Sequence, residues 1–282
     1  MFPALLDPVI DRALEEDLAG GDLTSEACVP PELEARATAL AKRPLVVCGG
    51  ALFRRVFERV DPRTQTDLLV ADGVLVAAGT ALWVVRGYAR ALLAAERTAL
   101  NFTQRLSGIA TLARACVDAL PPGSTTRVTD TRKTTPGLRA LERYAVRTGG
   151  AHNHRDQLGS AVLIKDNHVV AAGGVRAAIE RARANAPHTT RIEVEVDTLA
   201  QLEEAIAARA DIIMLDNFDT DATREAVRRV RSLGSVRPIL EVSGGITRER
   251  IGELAALGVD VISSGALTHS APAADISLEL TL

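Results

Sequence analysis

The stretch 191-RIEVEVDTLAQLEEAIAARADIIMLD-216 decides the fold class. A short run of Ile and Val ends in charge at Asp197. An amphipathic segment, 198-TLAQLEEAIAARA-210, follows at helical spacing, and a second apolar run, 211-DIIMLD, closes the unit. Strand, helix, strand in so few residues predicts a right-handed crossover joining two parallel strands. The same grammar repeats outward in both directions. Strand-like runs stand at 126-TRVTD, 161-AVLIKD, 238-PILEVSGG and 259-VDVISSG, and 247-TRERIGELAALG-258 is another amphipathic helix. Six apolar strand cores without a G-x-G-x-x-G fingerprint favour an α/β barrel, incomplete if only six strands form it, over an open doubly wound sheet.

Upstream the pattern differs. Apolar residues from Leu5 to Leu18 fall at helical spacing, with Asp7-Pro8 placed as cap and first-turn proline. Short strands separated by Gly and Asp turns are expected at 44-PLVVC-48, 68-LLVADGVLVAAG-79 and 82-LWVV-85, with a helix near 50–60. A long helix, 89–120, runs until Pro121-Pro122-Gly123 stops it. The chain therefore divides into an α+β domain and a following α/β barrel.

Composition limits the function. The 282 residues are 47% hydrophobic and 24% charged, with a formal net charge of −3, so nothing global attracts nucleic acid or an anionic membrane. Any cationic site must be built locally. Cys28, Cys48 and Cys116 are too scattered for a disulfide framework or a zinc site and read as reduced thiols of a cytoplasmic protein. The segment MFPALLDPVIDRALEEDL lacks the basic start and unbroken apolar run of a signal peptide, and 73-GVLVAAGTALWVV-85 is too short to span a bilayer.

Barrels place their chemistry at the carboxyl ends of the strands. At or just past the strand ends stand Asp130, Arg132 and Lys133; Lys165 to His168; Glu193, Glu195 and Asp197; Asp216 and Asn217; Ser243-Gly244-Gly245; and Ser264-Gly265-Ala266. One Arg-Lys pair in a turn is ordinarily a solvated surface feature, and a strand-end Glu is ordinarily exposed. Charge after almost every strand needs another reason. Cations converging on one rim suit an anionic ligand, and the two small loops after the last strands suit phosphate, because Gly lets backbone N–H groups approach it closely. Glu195 and Asp216 suit Mg2+, a hard ion that takes carboxylate, water and phosphate oxygen. His152 and His154, without a third soft ligand, make a poor zinc site, and His154 reads as a hydrogen-bond donor to substrate.

These residues lie in longer motifs: 16-EDLAGGDLTS-25, 96-ERTALNFTQRLSGIAT-111, 129-TDTRKTTPGLRALERYAVRTGGAHNHR-155, 163-LIKDNH-168, 193-EVEVDTLAQL-202, 213-IMLDNF-218, 241-EVSGGI-246 and 260-DVISSGALTHSAPAADISL-278. Through them the chain resembles the quinolinate phosphoribosyltransferase (decarboxylating) family over nearly its whole length. The resemblance implies an N-terminal open α/β sandwich over 1–108, with a tail of about 270–282 packing on it, and a partly closed α/β barrel over 109–269. It implies a cytoplasmic homodimer with shared active sites, into which Arg97 enters from the neighbouring subunit, any larger assembly being left open. Arg132, Lys133, His154, Arg155 and Lys165 would surround the quinolinate carboxylates and nearby phosphates, and Glu195 and Asp216 the ribose and its Mg2+. Ser243, Gly244 and Gly245, with Ser264, Gly265 and Ala266, would be the phosphate turns. The implied reaction joins quinolinate to the phosphoribosyl group of phosphoribosyl pyrophosphate with loss of CO2, and yields nicotinate mononucleotide for NAD biosynthesis. Lys133 or Lys165 would protonate the ring carbon after decarboxylation. Two other readings stand beside it: the related molybdenum-transport-associated proteins of the same fold, and a barrel lyase using Lys165 as a Schiff base.

Overall fold

The computed structural model describes residues 3–282, with side chains from residue 6 onward, so the first two residues of the N-terminal segment lie outside it. Its contacts divide the chain into two units: 1–114 with 134–150 and 270–282, and 115–133 with 151–269.

The first unit begins with helix α1 (Pro3–Leu18), which buries Leu6, Ile10 and Leu14 one turn apart. After α2 (Leu23–Cys28) come β1 (Glu34–Ala41), β2 (Leu45–Val46), α3 (Gly50–Val60), β3 (Gln65–Leu68), β4 (Leu75–Val76) and β5 (Ala81–Tyr88). Helix α4 (Ala89–Val117) then carries the chain into the second unit. α3 buries Leu52, Phe53, Val56 and Phe57, and its Phe53 ring lies 4.8 Å from the ring of Trp83. Its outer side is tied to α1 by Arg55, which grips both carboxylate oxygens of Asp7 at 2.8 Å.

The antiparallel sheet of this unit has the order β12-β1-β5-β3, where β12 is Ile276–Thr281. β1 is its centre, and the sequence hides it. Its buried face is Ala35, Ala37, Ala39 and Ala41, an alternation of a small helix-favouring residue that carries little strand signal. Pairing on both edges, not propensity, makes it a strand. The C-terminal residues complete the sheet, since β12 runs antiparallel to β1 from Ala41↔Ile276 to Arg36↔Thr281. Helix α5 (Arg139–Thr148) also belongs to this unit. Its fully buried Glu142 accepts from Arg105 at 2.9 Å and from the Thr135 hydroxyl at 2.7 Å.

The second unit is the expected β-α repeat. Its strands are β6 (Arg127–Thr129), β7 (Val162–Ile164), β8 (Ile192–Val196), β9 (Ile212–Asp216), β10 (Ile239–Ser243) and β11 (Val261–Ser263), all parallel, in the order β6-β11-β10-β9-β8-β7. The helices between them are α6 (Asp166–Ala172), α7 (Val175–Asn185), α8 (Leu199–Ala207), α9 (Thr220–Arg231) and α10 (Arg248–Leu257), and α11 (Ala266–His269) follows β11. Side-chain caps start three of them: Thr198 before α8, Asp219 before α9 and Thr247 before α10.

The sheet order is that of a six-stranded barrel with one ladder missing, between β6 and β7 among the described residues. The free side of β6 is lined instead by the 151–155 segment. His152 bridges Thr129 in parallel, donating its N–H to Val128 O at 2.8 Å and accepting from Asp130 N at 3.1 Å. That pairing sets the residues after His152 beside the end of β6.

Candidate active site

Residues paired across neighbouring strands share a face of the sheet. The registers Leu163↔Glu193, Glu195↔Met214, Met214↔Glu241 and Asp216↔Ser243 therefore put Glu193, Glu195, Asp216, Glu241 and Ser243 on one face. Lys165, two residues past Leu163, follows them. A period of two in each strand and a parallel register gather the polar residues of different repeats.

At the carboxyl end of this face, Arg132 is partly buried and Lys133 exposed, just past β6. The Thr268 hydroxyl donates to Lys133 O at 2.7 Å, and a Cβ added at Gly265 would stand 3.0 Å from Lys133 Cδ and 3.0 Å from His269 Nε2. The lysine stem thus lies against the Ser264–Ala266 turn, where only glycine fits without displacing it. Ser264 itself is buried, and its N–H closes a bond to Thr129 O at 3.0 Å.

The other small loop is as tightly fitted. Gly244 has φ +89°, and a Cβ there would meet Asn217 Oδ1 at 2.1 Å, while Asn217, itself at φ 56°, donates its N–H to Ser243 O at 3.0 Å. Arg250 of α10 laces this loop to the one after β9, donating to Gly244 O at 3.1 Å and to Phe218 O. Arg250 goes unread in the sequence, because nothing local distinguishes it from the other arginines of an amphipathic helix.

Lys165 and Glu195 form an ion pair across β7 and β8. The lysine is about half exposed and the glutamate nearly buried, so the cation faces outward over its counter-ion. Arg155 donates to Ala161 O at 3.1 Å. Burial and the Arg132 charge lower its pKa.

Carboxylates lie beneath the cations. Asp130, fully buried, accepts from His154 N at 2.8 Å and from Asn153 Nδ2 at 2.5 Å, which fastens the 152–155 segment to β6. Glu193 and Glu241 are each 3% exposed and face His154 Nε2 at 3.3 and 3.5 Å. The expectation that a strand-end glutamate is exposed fails at Glu193. Burial disfavours the charged imidazole, and hydrogen bonds and charge from the two glutamates outweigh it, raising the His154 pKa to about 10. Burial pushes Glu193 upward as well, against the pull of His154.

His154, Glu193 and Glu241 bring ligand atoms within 4.8 Å of one another, a spacing a metal ion could use. The ring argues otherwise. Its Nδ1 accepts the Arg155 N–H at 2.8 Å, so the ring proton sits on Nε2, and a protonated nitrogen has no lone pair for a metal. Glu195 and Asp216 have the hard-oxygen chemistry Mg2+ requires. With Lys165 on Glu195, they fit an ion brought in with substrate phosphates better than a dedicated protein cage.

The predicted residues Arg132, Lys133, His154, Arg155, Lys165, Glu195, Asp216 and the two loops all belong to the second unit. Arg97 does not. It is exposed on the part of α4 that belongs to the first unit. Of the cysteines, Cys48 and Cys116 are buried and Cys28 is exposed, all as free thiols.

A mixed α/β chain whose parallel sheet ends in crowded cations, a carboxylate pair and two glycine turns belongs to the class of enzymes that handle phosphorylated, anionic substrates. The comparisons with known proteins are more specific. Residues 22–107 match the family described as Quinolinate phosphoribosyl transferase, N-terminal domain, and residues 109–279 its C-terminal domain. The chain belongs to the quinolinate phosphoribosyltransferase family. It is 43% identical over 277 residues to the probable nicotinate-nucleotide pyrophosphorylase [carboxylating] of Bacillus subtilis, covering 98% of this chain and 94% of that one. It is 44% identical over 282 residues to the nicotinate-nucleotide pyrophosphorylase [carboxylating] of Mycobacterium leprae, covering 99% and 98%. The crystal structure of NadC from Streptococcus pyogenes superposes with a TM-score of 0.93 at 41% identity, covering 100% of this chain and 98% of that one.

Proposed function

We propose that this protein is a nicotinate-nucleotide diphosphorylase (carboxylating): it transfers the phosphoribosyl group of phosphoribosyl pyrophosphate to quinolinate, releasing pyrophosphate and CO2 and giving nicotinate mononucleotide for NAD biosynthesis. The observation that carries the reading is the gathering of cations around the ends of two strands: Arg132 and Lys133 follow β6, the segment bridged to β6 ends in Arg155, and Lys165 follows β7. Four cations gathered at the end of a parallel sheet, in a chain of net charge −3, suit a ligand with more than one anionic group. A pyridine dicarboxylate is such a ligand. Its ring nitrogen attacks C1 of the ribose as the C1–O bond to pyrophosphate breaks, and no enzyme nucleophile is required. Glu195 and Asp216 offer negative charge for the ribose as it becomes cationic.

Quaternisation makes the ring an electron sink. The C2–carboxylate bond then breaks, its electrons stay on C2, and CO2 leaves. Lys133 and Lys165 are the ammonium groups at the rim that could supply the proton to C2. Bound with phosphoribosyl pyrophosphate and held by Glu195 and Asp216, Mg2+ supplies charge neutralisation of the leaving pyrophosphate. The turns Ser243–Gly245 and Ser264–Ala266 suit the phosphates through their backbone N–H groups. The exposure of Arg97 supports its entry into a neighbouring subunit's site in a homodimer. Location in the cytoplasm is part of the same reading, supported by the scattered free thiols. Among the described residues, no helix is long and apolar enough to cross a membrane.

Incubation with quinolinate, phosphoribosyl pyrophosphate and Mg2+ is expected to yield nicotinate mononucleotide and CO2 in equal amounts. Nicotinate, which lacks the departing carboxylate, is the control. Equal turnover of the two acids would overturn the substrate assignment.

A further inference from the structure

The reaction uses the rim, yet the costliest groups in the second unit lie below it. Two glutamates 3% exposed, next to each other in a protein interior, are unfavourable unless something needs them there. Packing does not. Their neighbours on the same face include Met214, Ile212 and Ile239, and an apolar residue at either position would extend that surface. What the two carboxylates share is His154. Glu193 Oε2 and Oε1 stand 3.3 and 3.4 Å from His154 Nε2, and Glu241 Oε1 stands 3.5 Å from it. That oxygen of Glu241 is buried and makes no hydrogen bond of ordinary length.

The opposite ring nitrogen is committed as well. His154 Nδ1 accepts the backbone N–H of Arg155 at 2.8 Å. The imidazole is therefore a strut: carboxylates at one end, the backbone of the clamp arginine at the other. The Arg155 N–H opposes a second proton at Nδ1 while the carboxylates favour one. In either protonation state Nε2 keeps its proton and faces the glutamates. Asp130, just past β6, holds the residue's backbone through His154 N, so acids from three parts of the sheet fix His154.

We propose that Glu193 and Glu241 are positioning residues: they hold the Nε2–H of His154 and thereby set the direction in which Arg155 presents its guanidinium to the carboxylates of the pyridine dicarboxylate. The proposal rests on the reading of Arg155 as part of that substrate's clamp. It separates the jobs of two adjacent residues. Arg155 touches the acid, and His154 transmits to it the geometry of the strands beneath. Glu193→Gln or Glu241→Gln keeps the shape but places an amide N–H beside the remaining carboxylate. The two then bond to each other, and the ring is released.

The test has two arms. In the full-length protein labelled with 15N-histidine, five imidazoles are present, and the signal lost in His154→Gln assigns the ring. Without substrate, wild-type His154 is expected to show Nε2 protonated and hydrogen-bonded to carboxylate, and each Gln variant to lose that signature. In the steady state, each variant is expected to raise KM for quinolinate roughly tenfold while kcat and KM for phosphoribosyl pyrophosphate stay within about twofold. A residue that only supports the fold would move both KM values and kcat together. A wild-type ring protonated on Nδ1 alone, or folded variants with an unchanged quinolinate KM, overturns the proposal. Absence of turnover by the wild-type protein overturns the functional reading instead and leaves the ring spectrum to decide this one. If one variant fails to fold, the other variant and the wild-type spectrum decide.

Discussion

The two ends of the parallel sheet use the same residue types in opposite ways. At the amino end, aspartates are bonded to the neighbouring strand. Arg237 grips Asp260 with both prongs, at 2.6 and 2.7 Å, and the same aspartate accepts Leu240 N at 2.8 Å. Asp211, in the equivalent position before β9, accepts Ile192 N at 2.8 Å. Each of these aspartates fastens a strand to its neighbour. Toward the carboxyl end, Lys133 lies over a glycine turn, Asp130 holds the backbone of His154, and Glu193 and Glu241 are buried against its imidazole. Acids bonded from strand to strand stabilise a fold, and cations gathered beyond the strand ends suit an anionic ligand.

The contrast is broken most severely at the carboxyl end. Arg132→Ala and Arg155→Ala are each expected to cut kcat/KM for quinolinate roughly 10- to 150-fold, the loss of a charged hydrogen bond worth about 1.5–3 kcal/mol. Tm should change little, since neither side chain is part of the buried core. Steady-state kinetics beside thermal melts check both halves, and a Tm that falls with activity would mean the arginines are structural.

At the amino end the expected signs reverse. Asp260→Asn should lower stability by about 1–3 kcal/mol and leave kcat/KM near its original value. It should also flatten the acid limb of the stability curve. Burial by itself would raise the Asp260 pKa, but the Arg237 hydrogen bonds and the Leu240 N–H hold it below the ordinary value. A carboxylate depressed in the folded state stabilises above its unfolded pKa, and that contribution disappears as pH falls through the folded pKa, from about pH 4 downward. Urea unfolding at pH 6 and at stepwise lower pH checks it.

The smallest effect belongs to neither end. Arg224 and Asp221 pair within one turn of α9, with side chains 58% and 89% exposed. Arg224→Ala should change stability by less than about 0.5 kcal/mol and activity not at all, since water screens the pair. Its melt calibrates what an exposed ion pair contributes here.

Much of this was legible in the residues, and the illegible parts have identifiable reasons. The β-α repeat shows in short apolar runs alternating with segments of period 3.6, and each strand of the parallel sheet stands within such a run. β1 is invisible because alanine carries almost no strand signal, and β12 because its partner strand lies near the opposite end of the chain. Lys165 and Glu195 are visible as charges after apolar runs, but their pairing depends on which strands are neighbours. Glu193 looks in sequence like an ordinary strand-end acid, and Glu241, the middle residue of β10, carries no mark of its role. Only the register shows them buried and turned toward the same ring.

By itself the amino-acid sequence determined the class of protein: local periodicity specifies each element, and motifs of charge and glycine at strand ends mark where chemistry belongs. Tertiary structure decided which charges meet. The 152–155 segment lies along β6 because β6 has a free edge there, and that placement brings His154 to Glu193 and Glu241. Electrostatic interaction depends on separation in space, and the separation is set by strands that are far apart in the chain.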